Sequence, residues 1–168
     1  SFSIKSKGEI WRNTVFMRLL KFLVRKNFMW YYFFSHLGLI VVGKYKSEFN
    51  SMLGLNIEPK DIYRSKGLPA HMLKSKHGKC LKYIDYIPDI IDNPDYIGIN
   101  PNESGSESIE LIKRYRDNVM IGIKLDKDND YLYVSTMHGI QESKNQRRLH
   151  SGRSKNFRLT ILEVHSIL

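Results

Sequence analysis

The sequence predicts an α+β domain, with N-terminal helices packed on a four-stranded antiparallel β-sheet. Three observations carry that expectation. Apolar residues recur at helical spacing up to about residue 92, and from Tyr96 onward the period changes to two. The stretches after the change are joined by short polar connections, which suit strands that neighbour one another in a meander. Helical segments followed by a run of strands are the pattern of an α+β fold.

The elements follow in chain order. Residues 11–26 predict a basic amphipathic helix, with Trp11, Val15, Leu19, Phe22 and Leu23 on one side and Arg18, Lys21 and Arg25 on the other. Asn27 to Gly43 runs 17 residues without a charge. That length is at the lower edge of a spanning helix, and Asn27, Ser35 and His36 argue against one. Burial against a neighbour suits the stretch equally well. Gly43 to Gly54 bounds a short helix with Tyr45, Phe49, Met52 and Leu53 as its stripe and Gly54 as its stop. Leu55 to Gly67 reads as a connector or a short extended piece. Leu68 to His77 predicts a helical run ended by Gly78. Cys80, Ile84, Ile87 and Ile91 repeat as a buried helical stripe that Pro88 kinks or divides. Strands are expected over 96–99, 108–115, 119–125 and 131–137, with polar turns between them. Ile140 onward has a basic, helical composition, followed by Ser151-Gly152 and a last apolar piece, 157–168.

The chain has 168 residues and a net charge of +10, unevenly placed. Residues 1–37 carry +6, residues 38–140 are neutral and residues 141–168 carry +4. Basic ends on a neutral middle point to an anionic partner, nucleic acid or lipid headgroups. The organisation expected is a basic, apolar extension over 1–37 and a catalytic or binding domain over 38–168. Membrane contact through residues 11–43 is the secondary reading of the extension. A single cysteine, Cys80, excludes an internal disulfide framework and a cysteine-based zinc cluster, and its place in an apolar stripe makes it a packing residue.

Several familiar sites are excluded. There is no phosphate-binding Gly-x-x-x-x-Gly-Lys loop and no His-Glu-x-x-His. Asp126 to Asp130 begins like a calcium loop, but Tyr131 stands where that loop needs Gly and Met137 where it needs Glu. The run 71–77 joins His71, Lys74 and His77. On a straight helix, six residues separate the two imidazoles by about 120°, which is wrong for two ligands of one metal. Lys74 falls three residues from each, so all three can line one broad edge. An imidazole beside a Lys suits proton transfer at a phosphate. Thr136 and His138 share a face at the end of the fourth strand. Lys144, Arg147, Arg148, His150 and Arg153 follow, and Arg suits bidentate phosphate binding. Tyr131 and Tyr133 have the chemistry to stack on bases, although core packing is the commoner use.

Four separated segments then carry a resemblance: Leu68-Pro69-Ala70-His71 through Lys76-His77, Asp89 through Gly98, the strand Tyr131 to Thr136, and Lys144 to Arg153. Together they resemble the phage-associated nuclease domains of the barnase–EndoU–colicin E5/D–RelE (BECR) superfamily, in the group named PBECR3. The resemblance covers about residues 40–157. It implies a BECR-like fold and a ribonuclease of phages or mobile elements acting in a bacterial or host-cell cytosol. It implies cleavage without a metal or other cofactor, through attack of the ribose 2′-hydroxyl to leave a 2′,3′-cyclic phosphate. In that scheme His71 acts as base or acid and His77 is its partner or orients it. Thr136 binds the phosphate, Lys74 with Arg147 or Arg148 stabilises charge, and Lys144 and Arg153 hold the substrate. The partners it implies are RNA, tRNA first, and a cognate immunity or antitoxin protein. The alternative is a noncatalytic RNA-binding or virion-associated module of a phage polyvalent protein.

Overall fold

The computed structural model describes residues 38–101 and 108–158. The expected amphipathic helix over 11–26, most of the uncharged stretch and most of the last apolar piece lie outside those residues. Twelve elements follow in order: β1 (Leu39–Lys44), α1 (Ser47–Leu53), β2 (Asp61–Ser65), α2 (Leu68–Lys74), a 3-10 helix (Gly78–Tyr86), α3 (Ile87–Asp92), β3 (Tyr96–Ile99), β4 (Ser108–Arg114), β5 (Asn118–Asp126), β6 (Tyr131–Gly139), α4 (Glu142–His150) and β7 (Ser154–Asn156).

The class is α+β, but the sheet has seven strands where four were expected, in the order β1-β2-β6-β5-β4-β3-β7. The expected meander β3 to β6 is present and antiparallel throughout. Beyond it, β1 and β2 form an antiparallel pair that joins β6 in parallel through β2, and β7 adds to β3. The first described element is therefore a strand and not a helix. Leu39 to Val42 is continuously apolar, so no period of two shows, and only its Ile-Val-Val β-branching hints at a strand. Ser154–Asn156 is a polar edge strand whose pairing with β3 leaves no apolar signature.

Local chemistry explains the helices. Gly54 ends α1 in the left-handed conformation at φ 68°, and its N–H donates to the Asn50 carbonyl at 2.8 Å. The stripe over 80–91 is divided: a 3-10 helix gives way to α3, with Pro88 in its first turn where no N–H is needed. The helix α2 stops three residues earlier than expected. Lys76 takes a φ of 60°, and the His77 N–H donates back to the Met72 carbonyl at 2.8 Å. Together with the Lys76 N–H on the Leu73 carbonyl at 3.3 Å, this is a Schellman turn with Lys where Gly is usual.

The strands sort their residues onto two faces. Ile97, Ile109, Leu111, Val119, Ile121, Ile123, Leu132 and Val134 are buried in one core with Phe49, Met72, Ile87, Ile90 and Ile91 from the helices. Each of these large side chains contributes roughly 1.5–3 kcal/mol by leaving water. Cys80 is buried in that core, as its stripe implied. A smaller cluster, Tyr96, Ile112, Met120 and Ile140, lies apart with Leu149 of α4 packed against it. Among the described residues no helix is long and apolar enough to cross a membrane.

Candidate active site

The second face of the sheet is polar where α4 leaves it uncovered. In register across three strands, Glu110 of β4 stands opposite Gly122 of β5, and Gly122 opposite Thr136 of β6. Met120 stands opposite His138. Thr136 and His138 share a face by strand alternation, and at the bulge just before Thr136 the Ser135 hydroxyl donates to the Gly122 carbonyl at 3.1 Å. Gly122 is required by close approach, since a Cβ there would stand 2.8 Å from Thr136 Cγ2.

Around these strand residues is a cavity of about 380 Å³, with Lys124, Thr136, His138, Lys144, Arg148 and Arg153 among its lining. Glu110 lies at its base, 3% exposed, and holds two guanidinium groups at once. Arg148 Nη1 donates to Glu110 Oε2 at 2.6 Å, and Arg153 Nη2 donates to Oε1 at 2.9 Å and to Asn100 Oδ1 at 3.2 Å. Burial pulls the Arg148 guanidinium down from its ordinary range, and Glu110 opposes that shift. Two arginines and one carboxylate leave one excess positive charge held in a fixed geometry.

His138 is the titratable group that the cavity perturbs most. Its ring is half-buried, and its Nδ1 is 3.4 Å from Thr136 Oγ1. The ring of His77 stacks on it at 5.1 Å between centroids and 30° between planes. Burial, and then the neighbouring His77, Lys144 and Arg148, push the His138 imidazole down to about 4. At neutral pH this ring is an uncharged acceptor surrounded by cations. His77 reaches it because β2 pairs with β6 only as far as Val134, and because the turn at Lys76 releases His77 from α2.

The structure therefore gathers Thr136, Lys144, Arg148 and Arg153 at one cavity, with His77 against its His138 wall. It does not bring His71, Lys74 or Arg147 there. His71 and Lys74 are exposed on α2, and Arg147 is exposed on α4 with Nε 3.4 Å from the Ser143 carbonyl. The shared helical edge of His71, Lys74 and His77 does not form, because the helix ends at Lys74. Tyr131 and Tyr133 are half-buried, and Tyr131 packs edge-on against Tyr63. Sequence reasoning missed Glu110. Its signal was a lone acid between Ile109 and Leu111 in β4. Among the described residues no group of three or more His, Cys, Asp or Glu is placed to hold a metal ion.

A family model described as PBECR3, phage-Barnase-EndoU-ColicinE5/D-RelE like nuclease, matches residues 40–147. The chain belongs to this family of phage nucleases, whose members act on nucleic acid. The match runs from β1 into α4 and includes Glu110, Thr136, His138 and Lys144, whereas Arg148 and Arg153 lie just beyond it. No curated protein and no solved structure matches the chain.

Proposed function

We propose that this chain is an endoribonuclease and that the cavity on the polar face of the sheet is its active site. The observation that carries the reading is His138. It is an imidazole kept neutral inside a cationic cavity, with a second imidazole stacked on it. A neutral ring accepts a proton, and the surrounding Lys and Arg side chains suit the doubly charged phosphorane of a phosphoryl transfer.

The Thr136 hydroxyl receives Nδ1–H of His138, which fixes the tautomer and leaves Nε2 as the acceptor. Nε2 takes the proton of a ribose 2′-hydroxyl, and the 2′-oxygen attacks the adjacent phosphorus. The bond from phosphorus to the 5′-oxygen breaks, and His77 in its protonated form gives that oxygen a proton. The products are a 2′,3′-cyclic phosphate and a 5′-hydroxyl. Arg148 and Arg153, held by Glu110, stabilise the phosphorane together with Lys144. Glu110 serves as counter-ion because both of its oxygens already accept from guanidinium groups. His71, Lys74 and Arg147 have no step in this scheme. The setting proposed is a cytosol entered by a phage or mobile element, with tRNA as the first substrate and an immunity protein as the natural restraint.

The test is incubation with total tRNA in EDTA, with the fragment ends typed as 5′-hydroxyl and cyclic phosphate. His138→Ala and His77→Ala should each lose about 10²- to 10⁴-fold in rate, while His71→Ala retains cleavage. If the wild-type chain binds tRNA and leaves it intact with or without added divalent metal, the chain is a noncatalytic RNA-binding module. Cleavage that needs metal refutes the mechanism, and full activity in His138→Ala refutes the assignment of the base.

A further inference from the structure

We infer that a second cleft, at the end of the sheet beyond His138, holds the backbone of the RNA flanking the cleaved bond. The inference rests on the ribonuclease reading and extends it to a segment of substrate that the first cavity cannot hold.

The cleft has a volume of about 780 Å³, roughly twice that of the first cavity. Lys79, Lys82 and Arg116 bring positive charge to it from two elements, the 3-10 helix and the turn from β4 to β5. Its two acids are already engaged. Asp117 Oδ2 accepts from Lys82 Nζ at 2.8 Å and from the Tyr83 hydroxyl at 3.0 Å. Glu142 accepts from Asn118 and from Gln146, each at 2.6 Å. These bonds hold both carboxyls below their ordinary values, so they are ionised but not free to receive a ligand. Lys79 and Arg116 are exposed and form no salt bridge among the described residues, although the charge of Arg116 is felt by Asp117 beside it. Among the described residues neither is tied by a hydrogen bond or salt bridge, so both can turn to an external anion.

Position connects the cleft to the proposed site. His138 lines the first cavity, and Gly139, the next residue of β6, lines the second. On α4, Lys144 lines the first, while Glu142 lines the second. His77 stacks on His138 and stands two residues before Lys79. The imidazole pair therefore stands where β6 turns one residue, His138, to the first cleft and the next, Gly139, to the second on its other face. A chain of phosphates crossing it would place one phosphate at the imidazoles and its neighbours on either side. Gly139 at the junction has no side chain, and a Cβ there would meet Cys80 Sγ at an ordinary contact distance of 3.4 Å. Lys and Arg spaced along a groove are what a single strand needs for sequence-tolerant binding.

The experiment measures binding of uncleavable 2′-deoxy oligonucleotides from about two to about eight nucleotides long, a range that spans one short binding site. With wild type, affinity should climb with length until both clefts are filled. In the full-length double variant Lys79→Ala/Arg116→Ala the gain at the longer lengths should shrink about 3- to 10-fold, and the salt slope should fall by about 1 to 2. Circular dichroism confirms that the variant is folded, and the exposure of both residues favours this. An unchanged length profile and salt slope overturn the second cleft. Binding with the predicted length profile but without RNA cleavage supports the cleft and refutes only the catalytic reading. Absence of any binding by wild type refutes both.

Discussion

Mild acid should destabilise this protein through His138, over a pH range that its perturbed carboxylates barely share. The ordinary value of the imidazole is 6.5, and in the folded chain burial and neighbouring cations hold it at about 4. Between those values the unfolded chain binds a proton that the folded chain refuses. Stability is therefore full above about pH 6.5 and falls as the pH drops toward 4. For a fully shielded ring, integration from pH 7 to 4.5 gives about 2.5 kcal/mol. The ring is half-buried, so solvent screening reduces the expected loss to about 1 kcal/mol. The carboxyls of Asp117, Asp126 and Glu142 are held below ordinary values of 3.8, 3.8 and 4.5, so their contribution is lost only from about pH 4.5 downward. The perturbation is His138→Gln, which keeps a polar group beside Thr136 and deletes the titration. The assay is urea unfolding at half-unit steps from pH 7 to 4.5. The wild-type profile should fall by about 1 kcal/mol more than that of the variant. Parallel profiles would mean that the ring titrates alike in both states, which would refute the perturbation and the picture of a shielded neutral base.

The same ring predicts that kcat/KM for RNA cleavage holds its acid limb near pH 4 and not near 6.5, since the free enzyme keeps the base unprotonated down to about 4. A limb at 6.5 would assign that titration to another group. Glu110→Gln removes the counter-charge of two guanidinium groups, one of them 7% exposed, and should cost about 3–5 kcal/mol in urea unfolding. A cost under about 1 kcal/mol would show that the arginines find solvent instead. Lys76→Gly relieves a left-handed backbone at φ 60° and should raise stability by about 0.5–1 kcal/mol, and a lower urea midpoint would count against the turn. Gly122→Ala places a methyl 2.8 Å from Thr136 Cγ2 and should lower cleavage about 10- to 100-fold in a folded protein.

The sheet was legible where its strands alternate. Ile109 and Leu111, and Val119, Ile121 and Ile123, announce one buried face because they are apolar at every second position while Glu110, Gly122 and Lys124 between or beside them are not. The strands that escaped notice lack that contrast. β1 is apolar on both sides, β7 is polar, and β2, read only as a connector or a short extended piece, has a single buried residue, Ile62. Pairing for such short segments comes from partners distant in sequence, and local pattern holds no record of it. The cavity was half legible for a related reason. Thr136 and His138 share a face by strand period, and the arginines of α4 follow at once in the chain. Glu110 is 38 residues from Arg148, and only the register of β4 against β5 and β6 places it under the same cavity.

His77 shows how one backbone angle decides what a motif means. Helical spacing puts His71, Lys74 and His77 on a common edge, and a straight helix to Gly78 would have kept them there. The chain instead closes α2 with a Schellman turn whose left-handed residue is Lys76. Lys is a poor choice for that position, because its Cβ crowds the following carbonyl and the conformation costs about 1–2 kcal/mol. No sequence rule favours a helix stop at Ser75-Lys76 when Gly78 is available two residues on. Something must offset the cost. The contacts formed around the turn are the His77 N–H on the Met72 carbonyl, the burial of Met72, and the stacking of His77 on His138. The first two belong to the turn and the core. The third is the one that reaches the cationic cavity, and it exists only because the turn carries His77 away from His71 and Lys74. A strained turn that delivers an imidazole to a second, neutral imidazole is the pattern expected where backbone conformation serves chemistry. It supports the proposed role of His77 as proton donor, while His71 stays exposed on α2.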